Sequence, residues 1–243
     1  MHIKTIGIIF KGFCSDSKCY LITFCIMLKF FVFSFANSYC QKPLSTNLWN
    51  SVQLQGNFKR IKLTSDLGYR LCDQFTRQSR TQLVRVSIDR EIGPNLSLGF
   101  GYAHFRHFSI ESTTSNSSTH SDISSLENRL FVQGNRGFSS NSFFFNLRLR
   151  NEFRFFNDSK IRNRIRTQFL FQYIVNQHLK PQFSAELFYT PGKENLIEQR
   201  YIIGTNFIVK HLNFLCFYML QIQTNVAYLQ HVLGWQLQFQ INN

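Results

Sequence analysis

The chain has 243 residues, enough for one large domain, and its mean hydropathy of −0.16 excludes a bundle of membrane-spanning helices. Phenylalanine is unusually common, with 28 residues, which exceeds the need of one soluble core and favours apolar side chains that face lipid. The net charge of +14 comes largely from arginines that alternate singly with apolar residues, so it does not indicate nucleic acid binding.

The first 40 residues form a leader with the parts of a secretory signal peptide. Lys29 supplies a short positive region, residues 30–36 supply an apolar stretch, and Ala36, Ser38 and Cys40 are small residues suited to cleavage. We predict that residues 1–40 contain a cleaved signal peptide and that Met27 is a candidate for the true start. An uncleaved anchoring helix is the alternative, although the apolar run is barely long enough to span a bilayer.

From residue 47 onward, apolar residues recur at every second position, which is the sign of a strand with two different faces. We therefore expect residues 41–243 to form a single all-β domain with ten or eleven strands. Strands of this length suit a tilted membrane crossing better than a soluble sandwich. In chain order the segments cover residues 48–55, 60–71, 80–90, 95–106, 127–134, 143–155, 162–173, 181–189, 197–208, 212–222 and 231–241.

The clearest alternation lies between residues 143 and 155. One face carries phenylalanine and leucine, for example Leu147, Leu149 and Phe153. The other face carries arginine, glutamate and asparagine. A helix would mix these two sets around its circumference, so the helical alternative fails for this segment.

Strands can cross a bilayer only as a closed sheet, because every backbone donor and acceptor needs a partner there. The sequence predicts an antiparallel transmembrane β-barrel of about 10–12 strands, with its apolar face toward lipid and its polar face toward the lumen. The alternative is a soluble lipocalin-like barrel, which shows the same alternation but has its apolar face toward the interior and its polar face toward water. Bacterial barrels have even strand numbers and short periplasmic turns. We therefore expect ten or twelve strands, a periplasmic turn at 92–95 and an extracellular loop at 107–126.

The polar face concentrates charged residues that we expect to line the lumen. A barrel of this size is narrow, so long side chains would meet across it and buried charges would need partners. This favours an ionic network that fills the lumen. The alternatives are a narrow passive pore that prefers small anions and a site for an acidic ligand. The predicted lumen residues are Arg148, Arg150, Glu152, Arg154, Arg162, Arg164, Arg166, Glu186, Glu198 and Arg200.

A different function is suggested by His104, His107 and Ser109, which lie where one strand enters the long polar loop. An acyl hydrolase or transferase acting on lipid at the outer rim would use a histidine to activate a hydroxyl nucleophile. We carry this as the alternative to a structural, ligand-binding or pore-forming barrel. The sequence holds no phosphate-binding loop and no metal-ligand spacing, so we predict no metal and no cofactor.

Several pieces of the chain occur in an order that resembles a known family. They include Trp49, the run from Leu83 to Asp89, residues 98–103, the run from Leu147 to Arg154, and Glu198-Gln-Arg-Tyr. In this order the chain resembles the outer-membrane barrels of Bacteroidota-type bacteria classed as domain of unknown function 2490. The resemblance implies a location in the bacterial outer membrane, with outer-membrane lipid and the barrel-assembly machinery as partners. It implies no activity.

Overall fold

The structure is a computed structural model that describes residues 45–72, 79–110, 122–157, 161–191, 196–223 and 228–242. The predictions made for the leader fall outside these residues. No helix in the described ranges has the length and hydropathy needed to cross a membrane.

Strands account for nearly all of the described residues, and they close into one barrel. Each strand pairs antiparallel with its neighbours in sequence, and β1 completes the circle by pairing with β11. This confirms the all-β barrel predicted from the alternation. The strands are β1 (Ser45–Phe58), β2 (Ile61–Cys72), β3 (Ser79–Gly93), β4 (Leu96–Ile110), β5 (Asp122–Ser139), β6 (Phe143–Phe156), β7 (Ile161–Tyr173), β8 (Leu179–Thr190), β9 (Leu196–Val209), β10 (Leu212–Gln223) and β11 (Tyr228–Asn242).

The expectation of an even strand number is wrong for the described residues, which hold eleven strands. An odd number of alternating strands leaves the first and last running in the same direction. The closing pair is therefore parallel, with Ser45 opposite Gln230 and Asn57 opposite Asn242. The first predicted segment, residues 48–55, is the central part of β1.

The connections divide the barrel into two different rims. At the tight-turn rim, two-residue turns join β1 to β2, β3 to β4 and β9 to β10. Each of these turns has one residue with positive φ, at Lys59, Asn95 and Lys210. Asparagine tolerates this conformation well, and Asn95 ends the tight turn predicted at 92–95. The opposite rim, here called the long-loop rim, holds the connection between β4 and β5.

The two faces of the barrel invert the usual arrangement of a soluble protein. Every exposed large hydrophobic side chain on a described strand points outward, and Leu149 and Leu67 are 56% and 55% exposed. Every buried polar or charged side chain among the described residues points inward, including Asp66, Glu127 and Gln221. On the outward face, the described charged side chains are arginines near strand ends: Arg80, Arg90, Arg106 and Arg136.

Gly234 offers a test of the closing pair. Its interior side is covered by the ring of Phe217, and a Cβ added there would lie 2.5 Å from the carbonyl oxygen of Trp49 in β1. We expect Gly234→Ala to destabilise the barrel by about 1–3 kcal/mol, because neither the backbone nor the packed ring can move away freely.

Gly134 is the matched control, because it lies on the outward face and its added Cβ would meet only Leu98 Cδ2 at 3.5 Å. Urea unfolding of both variants in detergent measures the difference. Equal stability of the two variants would contradict the close approach of β1 and β11.

Candidate functional site in the barrel interior

The residues predicted to line the lumen all lie on interior positions of four consecutive strands. The register pairs Arg150 with Arg166, Glu152 with Arg164, and Glu186 with Arg200. The predicted charges therefore form one continuous surface rather than separate patches. They are contributed by β6 (Arg148, Arg150, Glu152, Arg154), β7 (Arg162, Arg164, Arg166), β8 (Glu186) and β9 (Glu198, Arg200).

Glu152 is the centre of one group of ion pairs. Its side chain is 3% exposed, and its Oε2 accepts hydrogen bonds from Nη2 and Nε of Arg164 at 2.5 and 3.0 Å. Arg129 Nη1 lies 3.7 Å from Oε2, and Arg150 Nη1 lies 3.8 Å from Oε1. One buried carboxylate thus compensates three guanidinium groups from β5, β6 and β7.

Glu127 is the centre of a second group. Arg129 donates from Nε and Nη2 to its two oxygens at 2.6 and 3.0 Å. Arg154 binds the same carboxylate from the other side, also through two nitrogens. Both pairs have the bidentate geometry that makes arginine–carboxylate contacts strong.

A third group joins β7, β8 and β9. Arg166 donates to Glu186 Oε1, while Arg200 Nη1 lies 3.9 Å from Glu186 Oε2. Arg200 Nη2 also lies 2.5 Å from Glu198 Oε1. The four glutamates of these three groups, Glu127, Glu152, Glu186 and Glu198, all have arginine partners.

Aromatic rings fill the space between the ion pairs. Phe131 and Phe188 are only 1% and 2% exposed, and both point inward. The guanidinium of Arg150 lies 4.2 Å above the ring of Phe131, and that of Arg200 lies 4.5 Å above the ring of Phe188. Such stacking is favourable for a desolvated cation.

The sequence interpretation had assigned phenylalanine mainly to the lipid face, and these interior rings were missed. The alternation along each strand could have shown that these rings face inward. Phe131 shares a face with Arg129 and Gln133, and Phe188 shares a face with Glu186. Trp49 is a further interior ring, with the guanidinium of Arg70 only 3.9 Å from its centroid.

The ion pairs and rings meet across the lumen at one level, here called the arginine layer. Side chains of this layer from β2 to β7 and β9 line a cavity of about 50 Å³. This cavity has room for little more than one or two small molecules. The layer consists of Arg70, Arg85, Phe105, Arg129, Phe131, Arg150, Glu152, Arg164, Arg166, Phe188 and Arg200.

Between the arginine layer and the tight-turn rim lies a larger space, here called the chamber. Its volume is about 410 Å³, and Asn95 and Gly137 line it at the rim. Asp89 accepts hydrogen bonds from Gln133 at 2.6 Å and Asn135 at 3.3 Å.

Two cationic side chains of the chamber wall, Arg148 and Lys62, have no carboxylate partner among the described residues. Arg148 donates from Nε to Asn135 Oδ1 at 2.9 Å, and no carboxylate of the described residues lies within ion-pair distance of it. Lys62 also lines the chamber and is exposed. The wall therefore presents cationic groups and amides beside the carboxylates of Asp89 and Glu91, and its cations outnumber its carboxylates.

The histidines of the predicted rim site lie on opposite faces of β4. His104 points outward, where its Nδ1 lies 2.8 Å from Asn128 Oδ1. His107 points inward, with Nδ1 2.9 Å from Thr81 Oγ1 and Nε2 3.5 Å from Glu127 Oε2. In the described chain, Ser109 forms no hydrogen bond with either imidazole, so the three residues make no nucleophile–base pair.

The described residues contain no group of three His, Cys, Asp or Glu side chains arranged to hold a metal ion.

Comparison with known proteins identifies a family and several distant barrels. The sequence model of the family described as "Protein of unknown function (DUF2490)" matches residues 46–231. No curated protein matches the chain in sequence.

Among solved structures, the chain is similar to the outer-membrane protein OmpT of Vibrio cholerae, with 9% identity and a TM-score of 0.42 over 69% of this chain and 52% of OmpT. The chain thus spans about half the length of that protein. It is also similar to the translocator domain of the autotransporter NalP from Neisseria meningitidis, with 10% identity and a TM-score of 0.46 over 87% of this chain and 94% of that domain. The beta domain of the Bordetella autotransporter BrkA is similar as well, with 11% identity and a TM-score of 0.42 over 72% of this chain and 80% of that domain.

Proposed function

The chain belongs to the DUF2490 family, and we propose that it is a bacterial outer-membrane barrel whose lumen is closed and whose chamber binds a small organic anion. The small cavity within the arginine layer is the single observation that supports the closed lumen. The cavity that the side chains of the arginine layer line is about 50 Å³, and ion pairs from several strands surround it, which favours a closed lumen over a continuous water-filled pore. A cleaved signal peptide and a Bacteroidota-type origin stay predictions.

The outward face supports the membrane location. On β3 the outward arginines Arg80 and Arg90 bracket Val84, Val86 and Ile88, which are 43–45% exposed. At about 3.4 Å per residue this stretch is about 34 Å long, and a tilt of about 40° reduces its height to about 26 Å. Transmembrane barrels have an apolar band about 25 Å tall, so the spacing of the arginines fits a bilayer.

The two rims suggest an orientation. Short turns face the periplasm in bacterial barrels, and the longer loops face outward. The tight-turn rim would then be periplasmic, and the chamber would take its ligand from the periplasm. A solute entering there would meet the arginine layer before it could reach the long-loop rim.

The chamber wall suggests the chemistry of the ligand. Arg148 has terminal guanidinium nitrogens that no described carboxylate occupies, and it is therefore suited to a carboxylate or phosphate group. Gln53, Asn135 and Asn146 add amide groups that can bind hydroxyls. With a volume of about 410 Å³, the chamber fits a sugar-sized anion.

Conductance measurements test the closed lumen. Purified protein in planar bilayers is expected to conduct almost no current, because small ions cannot pass the arginine layer without displacing its ion pairs. Cell fractionation should recover the same protein in the outer membrane. A stable, anion-selective conductance of the folded wild-type barrel would contradict the proposal and favour a pore.

Titration calorimetry tests the chamber. We expect the sugar acid glucuronate to bind and its uncharged counterpart glucose to bind at least tenfold more weakly, since a charge-assisted hydrogen bond contributes about 1.5–3 kcal/mol. Arg148→Gln should weaken glucuronate binding by a similar factor. Arg90→Gln removes the same charge near the same rim on the outward face and should leave binding unchanged. Equal binding of the two sugars would refute an anion site in the chamber.

A further inference from the structure

Positive charge in the arginine layer exceeds negative charge. The small cavity at its centre is lined by seven arginine side chains and one carboxylate, Glu152. With Arg154 and the carboxylates that pair with these arginines included, eight guanidinium groups face five carboxylates, an excess of three positive charges. Desolvated charges are stable only when they are compensated, so the excess needs a counter-charge.

Arg70 is the clearest uncompensated member. Its guanidinium lies 3.9 Å from the centroid of Trp49 and 5.8 Å from that of Phe105. No carboxylate of the described residues lies within 4.0 Å of it. Two aromatic faces stabilise a cation partly but do not neutralise it.

Unpartnered donors are found around the same cavity. Arg166 Nε and Arg200 Nε are buried and have no hydrogen-bond partner within the described chain. Both residues line the cavity together with Arg70. Buried donors without acceptors are costly, and a bound acceptor would remove this cost.

We infer that the arginine layer binds a small inorganic anion, such as sulfate, phosphate or a halide, as a structural counter-ion at the centre of the barrel. A cavity of about 50 Å³ is large enough for one such ion and too small for the sugar-sized ligand of the chamber. The anion would accept hydrogen bonds from several strands at once. It would therefore hold the interior walls together and contribute to closing the lumen.

Thermal unfolding in detergent at constant ionic strength tests this site, with sulfate as the probe and the bulky sulfonate buffer MES as the reference anion. Sulfate at about a hundredfold excess over its Kd should raise the Tm of the wild-type barrel by roughly 5–10 °C. In Arg70→Met this rise should fall to less than half, because the uncompensated charge is gone.

Arg136→Met is the matched control, since Arg136 also stacks on an aromatic ring, Phe138, at 5.2 Å, but lies on the outward face. It should retain the full response to sulfate. A wild-type Tm that does not depend on the anion would overturn the inference, as would an equal response in Arg70→Met and Arg136→Met.

Crystals of the wild-type barrel soaked in bromide give a second measurement that needs no variant. An anomalous peak is expected between Arg70, Arg166 and Arg200, and a diffraction map with peaks only at the surface would refute the site. The sulfate response and the bromide peak do not depend on the chamber proposal. Arg148, on which the chamber proposal relies, does not line the small cavity.

Discussion

Glu152→Gln is expected to destabilise the barrel by about 3–5 kcal/mol, the largest effect that we predict for a single interior substitution. The carboxylate compensates Arg129, Arg150 and Arg164, and its side chain is 3% exposed. Glutamine keeps the shape but removes the charge, which leaves the buried guanidinium groups of Arg150 and Arg164 without a carboxylate partner, while Arg129 keeps Glu127. Urea unfolding in phospholipid vesicles, followed by tryptophan fluorescence, measures the loss.

Two further variants give this prediction its controls. Glu91→Gln removes an exposed carboxylate near the tight-turn rim and should cost less than about 0.5 kcal/mol. The double substitution Glu152→Leu with Arg164→Met should be less destabilising than Glu152→Leu alone. Removing both partners of a buried ion pair leaves no uncompensated charge from that pair, whereas removing one partner does. If Glu152→Gln and Glu91→Gln cost the same, the ion pairs of Glu152 contribute little to stability.

Leu149→Arg is expected to cost about 2–4 kcal/mol and to impair assembly, because it would place a cation on the proposed lipid face near the middle of the membrane. Leu149 is 56% exposed and lies beside Gly134 and Thr167 on the outward surface. In a water-soluble barrel the same substitution would be tolerated or would improve solubility. The experiment therefore tests two things: whether Leu149 points outward, and whether the outer surface contacts lipid or water.

Val209→Arg is the matched control for the lipid face. Val209 is 61% exposed and lies at the last residue of β9, beside the tight-turn rim. An arginine there can reach the headgroup region, and we expect a cost of at most about 1 kcal/mol. Urea unfolding of both variants in vesicles measures the loss of stability at each position. Equal losses at the two positions would argue against a bilayer around the barrel.

The alternation of side chains made the strands and the interior face predictable. On β6, Leu147 and Leu149 point outward while Arg148 and Glu152 point inward, as the two-residue period requires. This information is local, because each strand shows its own faces without reference to its neighbours. Face assignments therefore followed from the sequence for the central strands.

Partners and closure depend on the register between strands, which the alternation does not specify. Glu152 lies opposite Arg164 only because β6 and β7 pair in one particular register. The stacking of Arg200 on both Phe188 and Trp49 likewise needs β9 and β1 to approach across the lumen. The even strand number was expected from the general rule for bacterial barrels, and nothing in the sequence of β1 shows that its neighbour β11 runs parallel to it.

The parallel pair between β1 and β11 has a consequence for the order of folding. Its paired residues, such as Ser45 and Gln230, are separated by almost the whole described chain, whereas all other pairs join consecutive strands. Contacts of such high sequence separation have the largest loop-closure entropy, so they form late. The 15 residues of β11 must be synthesised before the circle can close. A chain halted earlier would keep β1 and β10 as two open edges, ready to pair with other chains.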